Sequence, residues 1–583
     1  MRKLFGGFGN LLYLIRPYWK YAKLYLLGRI AISVLVAPAI ALVQVRLVQA
    51  IIDAITVGAT LEETIVTAAV LVGIIFGLTV LRWTFLLLYD RWKAEEMRIK
   101  INRSIYEQAI VTDYKYFDNP DFYNNFTFAA GELSARSESA LQLLTEILGA
   151  ISIIAAMTAY LSTLGPWIII ISVAGQAICL FAQRIIQKLG IKKNIESLPH
   201  ERKLNYIYRI AYQKQYAADM KSSGLPQKIL SMFDKSGESK VGVFKKYAKQ
   251  NTWANMLQFS AWHLSQFAQL AYLIVCVFVR NLGVGTIAGM FAAASRLSDH
   301  LNQFIGISGR AMEVILYADK IRRFFDYKSE IEPQTNGTEP PSGAFSLELR
   351  EVSFAYPNSS FRIRALNINI VQGEKIAIVG ENGVGKTTLA KLLLRLYDID
   401  SGEILYNGRP VREYAVHKLR RKIGVAFQEP QLYALTVREN MEIYNAADDA
   451  ELYDALGKVG LDIGIDSAVT REFDERGVML SGGQAQKLGL TRLLHGEFGL
   501  LFLDEPSSAL DPLAEYELTK LIFEQSRTTT IMVAHRLSTI RNADRIYLMD
   551  DGSIAEFGTH DELMAFGGKY AEMFTKQAEN YVR

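Results

Sequence analysis

The sequence predicts a multidomain protein, in which an all-α domain that crosses a membrane six times is followed by an α/β domain. Two observations predict this order: long uncharged apolar runs crowd the first 306 of the 583 residues, and the remainder reads like a soluble α/β protein. Between them, Glu330–Gly343 is rich in Pro and Gly, which is typical of a domain boundary. We therefore expect a membrane domain at residues 1–326, a linker at 327–345 and a second domain at 346–583.

Charge and cysteine content exclude several classes of protein. The 64 Lys and Arg residues against 60 Asp and Glu give a net charge of +4, which argues against a protein whose whole surface binds nucleic acid. The two cysteines, Cys179 and Cys276, lie in separate apolar runs and have no second Cys or His at metal-binding spacing. We expect two buried thiols, and neither a disulfide framework nor a nucleic-acid partner.

Six apolar runs are candidates for membrane spans, because about 20 apolar residues are needed to cross a hydrocarbon core about 30 Å thick. The six runs are Leu24–Val43, Ile65–Leu88, Leu141–Leu161, Trp167–Ala182, Met256–Val279 and Val284–Ile305. The fourth run is short but can extend in either direction. The fifth and sixth are more polar than lipid alone tolerates, which suits helices that face a water-filled cavity.

Lys and Arg residues in the loops predict the orientation of these spans. Cations are frequent before the first span and after the second, fourth and sixth, whereas the opposite loops Asp53–Thr64 and Ser162–Pro166 have none. Because cationic loops stay on the cytoplasmic side, we expect the N-terminus and the second domain in the cytoplasm, with the spans in the cytoplasmic (inner or plasma) membrane.

The cytoplasmic connections between the spans are long and helical in pattern. They cover Tyr89–Ala140 and Gln183–Asn255, and each contains one break, at Phe117–Pro120 and at Ser222–Pro226. We expect the spans to continue beyond the bilayer as helices, with a turn at the far end of each hairpin that could contact a cytoplasmic partner.

The second domain contains a candidate phosphate-binding loop. The buried-strand pattern Lys375–Val379 leads into a Gly-rich stretch and then into the helical pattern Thr388–Leu396. Glycines let successive amides point at phosphate oxygens, so we expect Lys386 to reach the β and γ phosphates and Thr387 to ligate Mg²⁺. The predicted ATP-binding residues here are Gly380, Glu381, Asn382, Gly383, Val384, Gly385, Lys386, Thr387 and Thr388.

A second buried strand, Leu500–Leu503, ends in two carboxylates. Asp504 at the strand end is expected to hold Mg²⁺, and Glu505 can polarise the attacking water. The pair follows the Gly-rich loop by about 120 residues, which fits the second half of a nucleotide site.

Five residues just before this strand resemble the signature of the ATP-binding cassette family. They are Leu480, Ser481, Gly482, Gly483 and Gln484. The resemblance implies further roles: Tyr356 stacks on adenine, Gln428 senses the γ-phosphate and the metal, and His535 acts as the switch histidine. It also implies a loop that crosses to a partner subunit, formed by Ser508, Ala509, Leu510 and Asp511.

The resemblance extends over the whole chain to the exporter-type (type IV) half-transporters, in which six spans precede one cassette. It implies coupling helices near Tyr116–Tyr123 and Tyr216–Gly224. One departure is that Ala485 follows the signature, where family members often have Arg. Arg at that place is not a phosphate ligand, so catalysis is expected to survive.

The resemblance also implies a dimer, because the signature of one chain caps the γ-phosphate bound by the other. Glu505, His535 and the signature are all present, so the chain fits a homodimer, which we favour, and equally the competent half of a heterodimer.

Polar residues in the fifth and sixth spans are candidates for the wall of a cargo cavity. They are His263, Gln266, Gln269, Arg296, Asp299 and His300. Placing an ionisable group at that depth in a membrane costs free energy, so we expect these residues to have a functional role. Alternatively, Arg296 and Asp299 could pair at i, i+3 on one helix face. Arg29 lies near the cytoplasmic edge, where snorkelling would explain it.

These features together lead us to expect an ATP hydrolase coupled to export of an amphipathic small molecule, lipid or peptide by an alternating-access dimer, with ATP and Mg²⁺ as cofactors. The expected catalytic residues are Glu505, His535, Lys386 and Gln428, and the expected metal ligands are Thr387, Gln428 and Asp504. Two alternatives stay open: an importer with the same fold, for example of a metal chelate, and a regulatory ATP-gated membrane protein without cargo.

Overall fold

A computed structural model shows two compact units. It describes residues 2–163, 165–280, 282–332, 337–357, 359–428, 430–506, 512–525, 528–534, 536–537 and 539–582. The first unit, here the membrane unit, comprises Met1–Gln108 and Asn124–Asp326, and the second, the cassette unit, comprises Ala109–Tyr123 and Tyr327–Arg583. The cassette unit thus includes a short segment that lies, in sequence, between the second and third predicted spans.

Helices build the membrane unit. They are α1 (Arg2–Tyr21), α2 (Lys23–Ala31), α3 (Ala37–Val57), α4 (Leu61–Thr84), α5 (Arg91–Ile110), α6 (Pro120–Ser162), α7 (Trp167–Tyr212), α8 (Lys214–Ser222), α9 (Leu225–Arg280) and α10 (Val284–Phe325). The π-helical turns Ile32–Val36 and Phe85–Asp90 join α2 to α3 and α4 to α5. Both predicted breaks in the helical pattern are confirmed. A 3₁₀ turn at Tyr114–Tyr116 precedes α6, and the non-helical residues Ser223 and Gly224 separate α8 from α9.

Five helical segments of the described chain are long and apolar enough to cross a membrane. They are Lys23–Val57, Leu61–Ile110, Pro120–Ser162, Trp167–Tyr212 and Leu225–Val279. None of the most apolar stretch of Leu61–Ile110 is buried within the protein, so that surface requires an apolar surrounding such as lipid. The sixth predicted span lies in α10, which does not meet the same criterion of length and composition.

The helices of the membrane unit pack around a common apolar core. Its fully buried members include Val45 of α3, Met157 of α6, Leu273 of α9 and Met290 of α10. The α7 and α9 helices approach closely at Gly175, where an added Cβ would lie 2.2 Å from the Ser265 hydroxyl. Both cysteines are buried and free, as the sequence predicts.

The cassette unit contains two sheets and a set of shorter helices. The strands are β1 (Leu347–Ala355), β2 (Arg362–Ile370), β3 (Lys375–Val379), β4 (Ser401–Tyr406), β5 (Arg409–Pro410), β6 (Ile423–Ala426), β7 (Leu500–Asp504), β8 (Thr529–Val533), β9 (Arg545–Asp550) and β10 (Ser553–Gly558). The helices are α11 (Lys386–Leu393), α12 (Val416–Arg421), α13 (Val437–Met441), α14 (Asp449–Lys458), α15 (Gly482–Leu494), α16 (Pro512–Gln525), α17 (His560–Phe566) and α18 (Lys569–Val582).

The larger sheet brings the ends of β3, β7 and β8 together. Its strand order is β10-β9-β3-β8-β7-β6, and β3, β6, β7, β8 and β9 run parallel. Because the carboxyl ends of parallel strands meet at one edge, the residues that follow β3 and β7 lie on the same side of the sheet. The smaller, antiparallel sheet has the order β2-β1-β4-β5.

A buried carboxylate ties the segment Ala109–Tyr123 to the start of the linker. Asp113 is fully buried and accepts hydrogen bonds from the backbone N–H groups of Glu330, Ile331 and Glu332 at 2.8, 3.1 and 3.0 Å. Three charge-assisted bonds to one carboxylate fix this connection within the cassette unit. No local sequence pattern indicates this role of Asp113.

Candidate functional site

The Gly-rich loop between β3 and α11 adopts a conformation that only glycine readily permits. Gly383 and Gly385 have φ angles of +86° and +114°, in the left-handed region. An added Cβ at Gly385 would lie 2.8 Å from the Phe361 ring, whereas one at Gly383 would meet no atom within 4 Å. The loop therefore bends as predicted and leaves room for a ligand at Gly383. The helix that follows ends at Leu393, three residues earlier than predicted, because Arg395 has a φ of +49°.

Lys386 lies buried inside this loop. Its ammonium donates to the carbonyl oxygens of Gly380 at 2.7 Å and Glu381 at 3.0 Å. Burial lowers the pKa of Lys386, and the nearby carboxylates of Glu505 and Asp504 oppose that shift. The cation is thus held close to the place where the loop amides would hold phosphates.

Thr387 and Asp504 meet across the sheet edge. The Thr387 hydroxyl donates to Asp504 Oδ2 at 2.6 Å, and Asp504 is buried at the end of β7. Neighbouring ligands of an octahedral Mg²⁺ lie about 2.9 Å apart, and Mg²⁺ prefers oxygen ligands, so this pair fits the metal. No group of three or more His, Cys, Asp or Glu forms a metal cluster in the described residues, so most further oxygen ligands would come from phosphate and water.

Glu505 takes a strained backbone conformation that turns the chain sharply after β7. Its φ is +50°, its N–H donates to Val533 O at 3.0 Å, and its carboxylate accepts from Gln428 Nε2 at 2.8 Å. Gln486 of α15 also donates to the Glu505 carbonyl oxygen at 3.2 Å. Gln428, Asp504 and Glu505 therefore lie together as the sequence predicts, and Gln486 is an additional contact that it missed.

Tyr356 sits in an aromatic cluster beside α11. Its hydroxyl donates to Thr388 Oγ1 at 3.2 Å, and its ring packs edge-on against Phe354 and Tyr397. The Lys391 ammonium lies 5.6 Å from the Tyr356 ring centroid and also approaches the rings of Tyr114 and Tyr397. Lys391 thus lies beside the adenine-stacking candidate, and only its position on α11, four residues after Thr387, could have indicated this.

The signature residues form the N-terminus of α15. Ser481 is the N-cap, and its hydroxyl accepts from Gln484 N at 3.3 Å while Gln484 Oε1 accepts from Ser481 N at 2.9 Å. Ser481 and Gly482 are exposed, and a Cβ at Gly482 would meet no atom within 4 Å. This helix therefore presents an open N-terminus, the kind of site that binds anions.

Five predicted site residues lie outside the described residues. They are Ser508, Ala509, Leu510 and Asp511 of the crossing loop, and the switch candidate His535. The strand that precedes His535 is β8, which ends at Val533.

The six cargo-cavity candidates do not share one environment. Gln269 is fully buried, and its Nε2 donates to Ser298 at 2.8 Å and to Ser172 at 3.1 Å. Gln269 therefore sits in a junction of α7, α9 and α10 rather than on the surface of a cavity. Gln266 is half-buried and accepts a hydrogen bond from Ser295 at 2.9 Å.

Of the remaining four candidates, two are exposed and two are half-buried. His263 and Asp299 are exposed, and Arg296 and His300 are half-buried. Arg296 and Asp299 are both described, and no ion pair joins them, which leaves the predicted alternative of internal pairing unsupported. His300 instead contacts Gln303 at 3.0 Å.

Snorkelling, the sequence-based explanation for Arg29, is wrong. Arg29 forms an ion pair with Asp90 at 3.0 Å, in which both side chains are largely buried, and Tyr25 also donates to Asp90 at 2.8 Å. The partner lies 61 residues further along the chain, so no local sequence pattern indicates the pair.

Comparisons with known proteins agree with this fold. The family model described as "ABC transporter" matches residues 363–508. The chain is 28% identical to the subtilin transport ATP-binding protein SpaT of Bacillus subtilis, over 83% of this chain and 80% of that protein. It is 34% identical to the ATP-dependent lipid A-core flippase of Escherichia coli (strain K12), over 51% of this chain and 52% of that protein. It is also 33% identical to the putative multidrug export ATP-binding/permease protein YgaD of Bacillus subtilis (strain 168), over 55% of this chain and 58% of that protein.

A solved structure of a bacterial Atm1-family ABC exporter with ATP bound is similar over nearly the whole chain. The TM-score is 0.77 at 21% identity, and the match covers 96% of this chain and 99% of the other. At this identity the likeness concerns the fold, and it confirms the predicted fold class. The matched stretches of the flippase and of YgaD span only about half of each protein's length.

Proposed function

We propose that this chain, whose residues 363–508 match the family model described as "ABC transporter", couples ATP hydrolysis to the export of an amphipathic small molecule, lipid or peptide. The observation that carries this proposal is the convergence of Lys386, Thr387, Gln428, Asp504 and Glu505 at one edge of the larger sheet. The names of the relatives give different cargoes, namely subtilin, lipid A-core and multiple drugs, so the cargo is proposed only as a broad class.

In the proposed mechanism ATP binds with its phosphates along the Gly-rich loop. The phosphates would replace the carbonyl oxygens of Gly380 and Glu381 as acceptors for Lys386, which suits a cation that is already buried beside the loop. The adenine would stack on Tyr356. Thr387, Gln428 and Asp504 would hold Mg²⁺, which neutralises charge on the phosphates when bound.

Glu505 would accept a hydrogen bond from the attacking water and orient it in line with the γ-phosphate. In this structure Gln428 occupies one oxygen of that carboxylate. Movement of Gln428 towards the metal would free this oxygen for water, which links nucleotide binding to activation of the base. We propose His535 as the residue that stabilises the γ-phosphate geometry.

The partner proposed for this chain is a second half-transporter, and a homodimer is favoured over a heterodimer. The exposed N-terminus of α15 supports this, because Leu480–Gln484 would cap the γ-phosphate on the loop of the other chain. Ser508–Asp511 would cross to the same partner. Closing and opening of two such composite sites would drive alternating access of the membrane units.

The proposed location is the cytoplasmic membrane, with the N-terminus and the cassette in the cytoplasm. We keep residues 1–326 as the membrane domain, 327–345 as the linker and 346–583 as the nucleotide-binding domain. Within the membrane domain, His263, Gln266, Arg296, Asp299 and His300 stay candidates for the cavity wall.

The test is transport by the purified protein in lipid vesicles. ATP added outside energises only those molecules whose cassettes face outward, so an exporter should accumulate cargo inside the vesicles. The probes are a fluorescent short-chain phospholipid, an amphipathic dye and a labelled peptide, and Glu505→Gln is the control without hydrolysis. ATP-dependent loss of preloaded cargo would indicate an importer, and ATP hydrolysis that no probe stimulates, without any movement, would indicate a regulatory protein.

A further inference from the structure

A pocket within the membrane unit is lined by charged and apolar side chains from four helices. Its volume is about 290 Å³, close to the lower limit of small-molecule sites. The charged or titratable side chains on its wall are Arg29 of α2, Arg82 of α4, Glu146 of α6 and His300 of α10. Apolar side chains line it as well, among them Ile32, Phe85 and Leu86.

The two π-helical turns that join α2 to α3 and α4 to α5 both contribute to this wall. Turns of this kind are rare and occur frequently at functional sites. Close packing fixes both of them. An added Cβ at Gly28 would lie 2.9 Å from the Phe85 ring, and one at Gly149 would lie 3.3 Å from the Ser33 carbonyl oxygen. The pocket therefore has a defined wall at the two irregular turns.

The four charged or titratable residues lie at one depth in the proposed topology. Arg29 and Glu146 each lie five residues after the start of a predicted span. His300 lies five residues, and Arg82 six residues, before the end of one. At about 1.5 Å per residue, all four are about 7 to 9 Å inside the cytoplasmic end of their span. Charged side chains at such a depth are costly and mark functional sites, so their convergence indicates a ligand.

Cations outnumber carboxylates at this pocket. Both carboxylates are already paired, since Arg29 Nε lies 3.0 Å from Asp90 and Arg310 lies 2.5 Å from Glu146. No ion pair in the described part of the chain involves Arg82. Three arginines against two carboxylates give a net charge of 3 − 2 = +1, with the histidine taken as neutral. The surplus charge therefore belongs to Arg82.

Arg29 also keeps a donor group without an acceptor. Its Nη1 is buried and has no hydrogen-bond partner among the described residues. An unpartnered buried donor is costly unless a ligand or water accepts its hydrogen bond. The exposed side chain of Arg82 likewise makes no side-chain hydrogen bond within the described residues. Two guanidinium groups on one wall thus have N–H groups available for an anion.

We propose that this pocket binds the phosphate headgroup of an anionic amphiphile. Arg29 and Arg82 would donate to the phosphate oxygens, as guanidinium groups commonly do. Ile32, Phe85 and Leu86 would contact the apolar part of the molecule next to its headgroup, a contact that free phosphate cannot use. The volume suits a headgroup, so the apolar chains would extend out of the pocket. Such binding goes beyond the proposed export, because it holds for either direction of transport.

The experiment measures the affinity of the purified full-length protein in detergent for two fluorescent lipids with the same acyl chains. One is a phosphatidylglycerol and the other a phosphatidylcholine, and inorganic phosphate is the competitor. The test variant is Arg82→Gln. The matched control is Arg184→Gln, at an exposed arginine two residues beyond the fourth predicted span that does not line the pocket. Arg82→Lys keeps the charge, and melting temperatures establish that each variant is folded.

The wild type should bind phosphatidylglycerol at least about tenfold more tightly than phosphatidylcholine, and Arg82→Gln should lose most of this difference. Arg184→Gln and Arg82→Lys should stay close to the wild type. An equal loss in Arg184→Gln would mean diffuse attraction and overturn the proposal. So would equal affinity of the wild type for both lipids, or unchanged discrimination by Arg82→Gln.

Displacement of phosphatidylglycerol by an equal concentration of inorganic phosphate would also overturn the proposal, because it would show a site for small anions. Arg29→Lys gives a second measurement should Arg82→Gln not fold. Lysine keeps a cation for Asp90 but lacks the planar fork of donors, so the affinity for phosphatidylglycerol should fall about threefold. An unchanged affinity of this variant would exclude Arg29 from the headgroup site.

Discussion

The two compact units differ in how completely their buried polar side chains are hydrogen-bonded. Eight buried side-chain nitrogen or oxygen atoms of the described residues lack a hydrogen-bond partner within the protein, and seven of them belong to the membrane unit. The seven are Arg29 Nη1, Asn102 Oδ1, Ser137 Oγ, Gln176 Nε2 and Oε1, Gln266 Nε2 and Gln269 Oε1, and the cassette unit contributes only His495 Nε2. In the cassette unit the buried groups of the nucleotide site have partners, as Lys386 and Asp504 do.

Several of the unpartnered atoms lie close together in the membrane unit. Gln269 bonds Ser172 and Ser298, and Gln176 lies one helical turn after Ser172 on the same face of α7. We call Ser172, Gln176, Gln266, Gln269 and Ser298 the glutamine seam. An unpartnered buried polar group costs about 1–3 kcal/mol, so a seam of this kind is expected where helices change partners or admit water between two states. The nucleotide site of the cassette unit is thus hydrogen-bonded before any ligand binds, whereas the membrane unit keeps buried polar atoms without partners in the described residues.

The largest expected effect concerns the organised site. Glu505→Gln keeps the shape of the side chain but removes the base, so ATP hydrolysis should fall at least about 100-fold while ATP binding is kept. Phosphate release and nucleotide binding measure the two properties separately. Glu497→Gln, an exposed change in the same unit, should leave both unchanged. Near-normal hydrolysis by Glu505→Gln would show that Glu505 is not the base.

The connection made by Asp113 should be the next most sensitive feature. Asp113→Ala leaves three backbone N–H groups without their acceptor, so the free energy of unfolding of the cassette unit should fall by about 3 kcal/mol. Asp113→Asn keeps an acceptor oxygen and should lose less. Denaturant unfolding of the purified protein measures both, and equal losses for Ala and Asn would contradict the role given to the acceptor oxygen.

Two glutamines of the seam should respond in opposite directions. Gln269→Leu removes bonds to Ser172 and Ser298 and should destabilise the membrane unit by about 2 kcal/mol, whereas Gln176→Leu removes an amide without partners and should stabilise it by about 1 kcal/mol. Thermal unfolding in detergent measures the shifts. Similar destabilisation by both changes would mean that the Gln176 amide is paired, and the contrast between the units would weaken.

The smallest effect is expected at Lys391, which orders the aromatic cluster around Tyr356. Lys391→Met removes the cation from three tyrosine rings. The lost cation–π attraction is worth about 0.5–1 kcal/mol, so ATP should bind about threefold more weakly. Lys391→Arg keeps the charge and serves as the control. Titration of a fluorescent ATP analogue measures the affinity, and an unchanged value for Lys391→Met would show that Tyr356 is held without it.

The sequence indicates those features that depend on local patterns. The loop from Gly380 to Gly385 and the strand that ends at Asp504 are predicted because their geometry follows from neighbouring residues. Asp113 could not be found in this way, since the three backbone N–H groups that donate to its carboxylate lie 217 to 219 residues away. The burial of Gln269 was equally out of reach, because a polar residue that faces a cavity and one that joins three helices have the same spacing along the chain.

The central claim, that two chains share each nucleotide site, is tested most directly by mixing two inactive variants. Lys386→Ala disables the loop of one chain, and Ser481→Arg blocks the signature that one chain offers to the other. Each variant alone should hydrolyse almost no ATP. Random co-assembly should restore about a quarter of the wild-type rate, because half of the dimers then contain one intact site of two. A mixture as inactive as its components, or full activity of Ser481→Arg alone, would contradict the account.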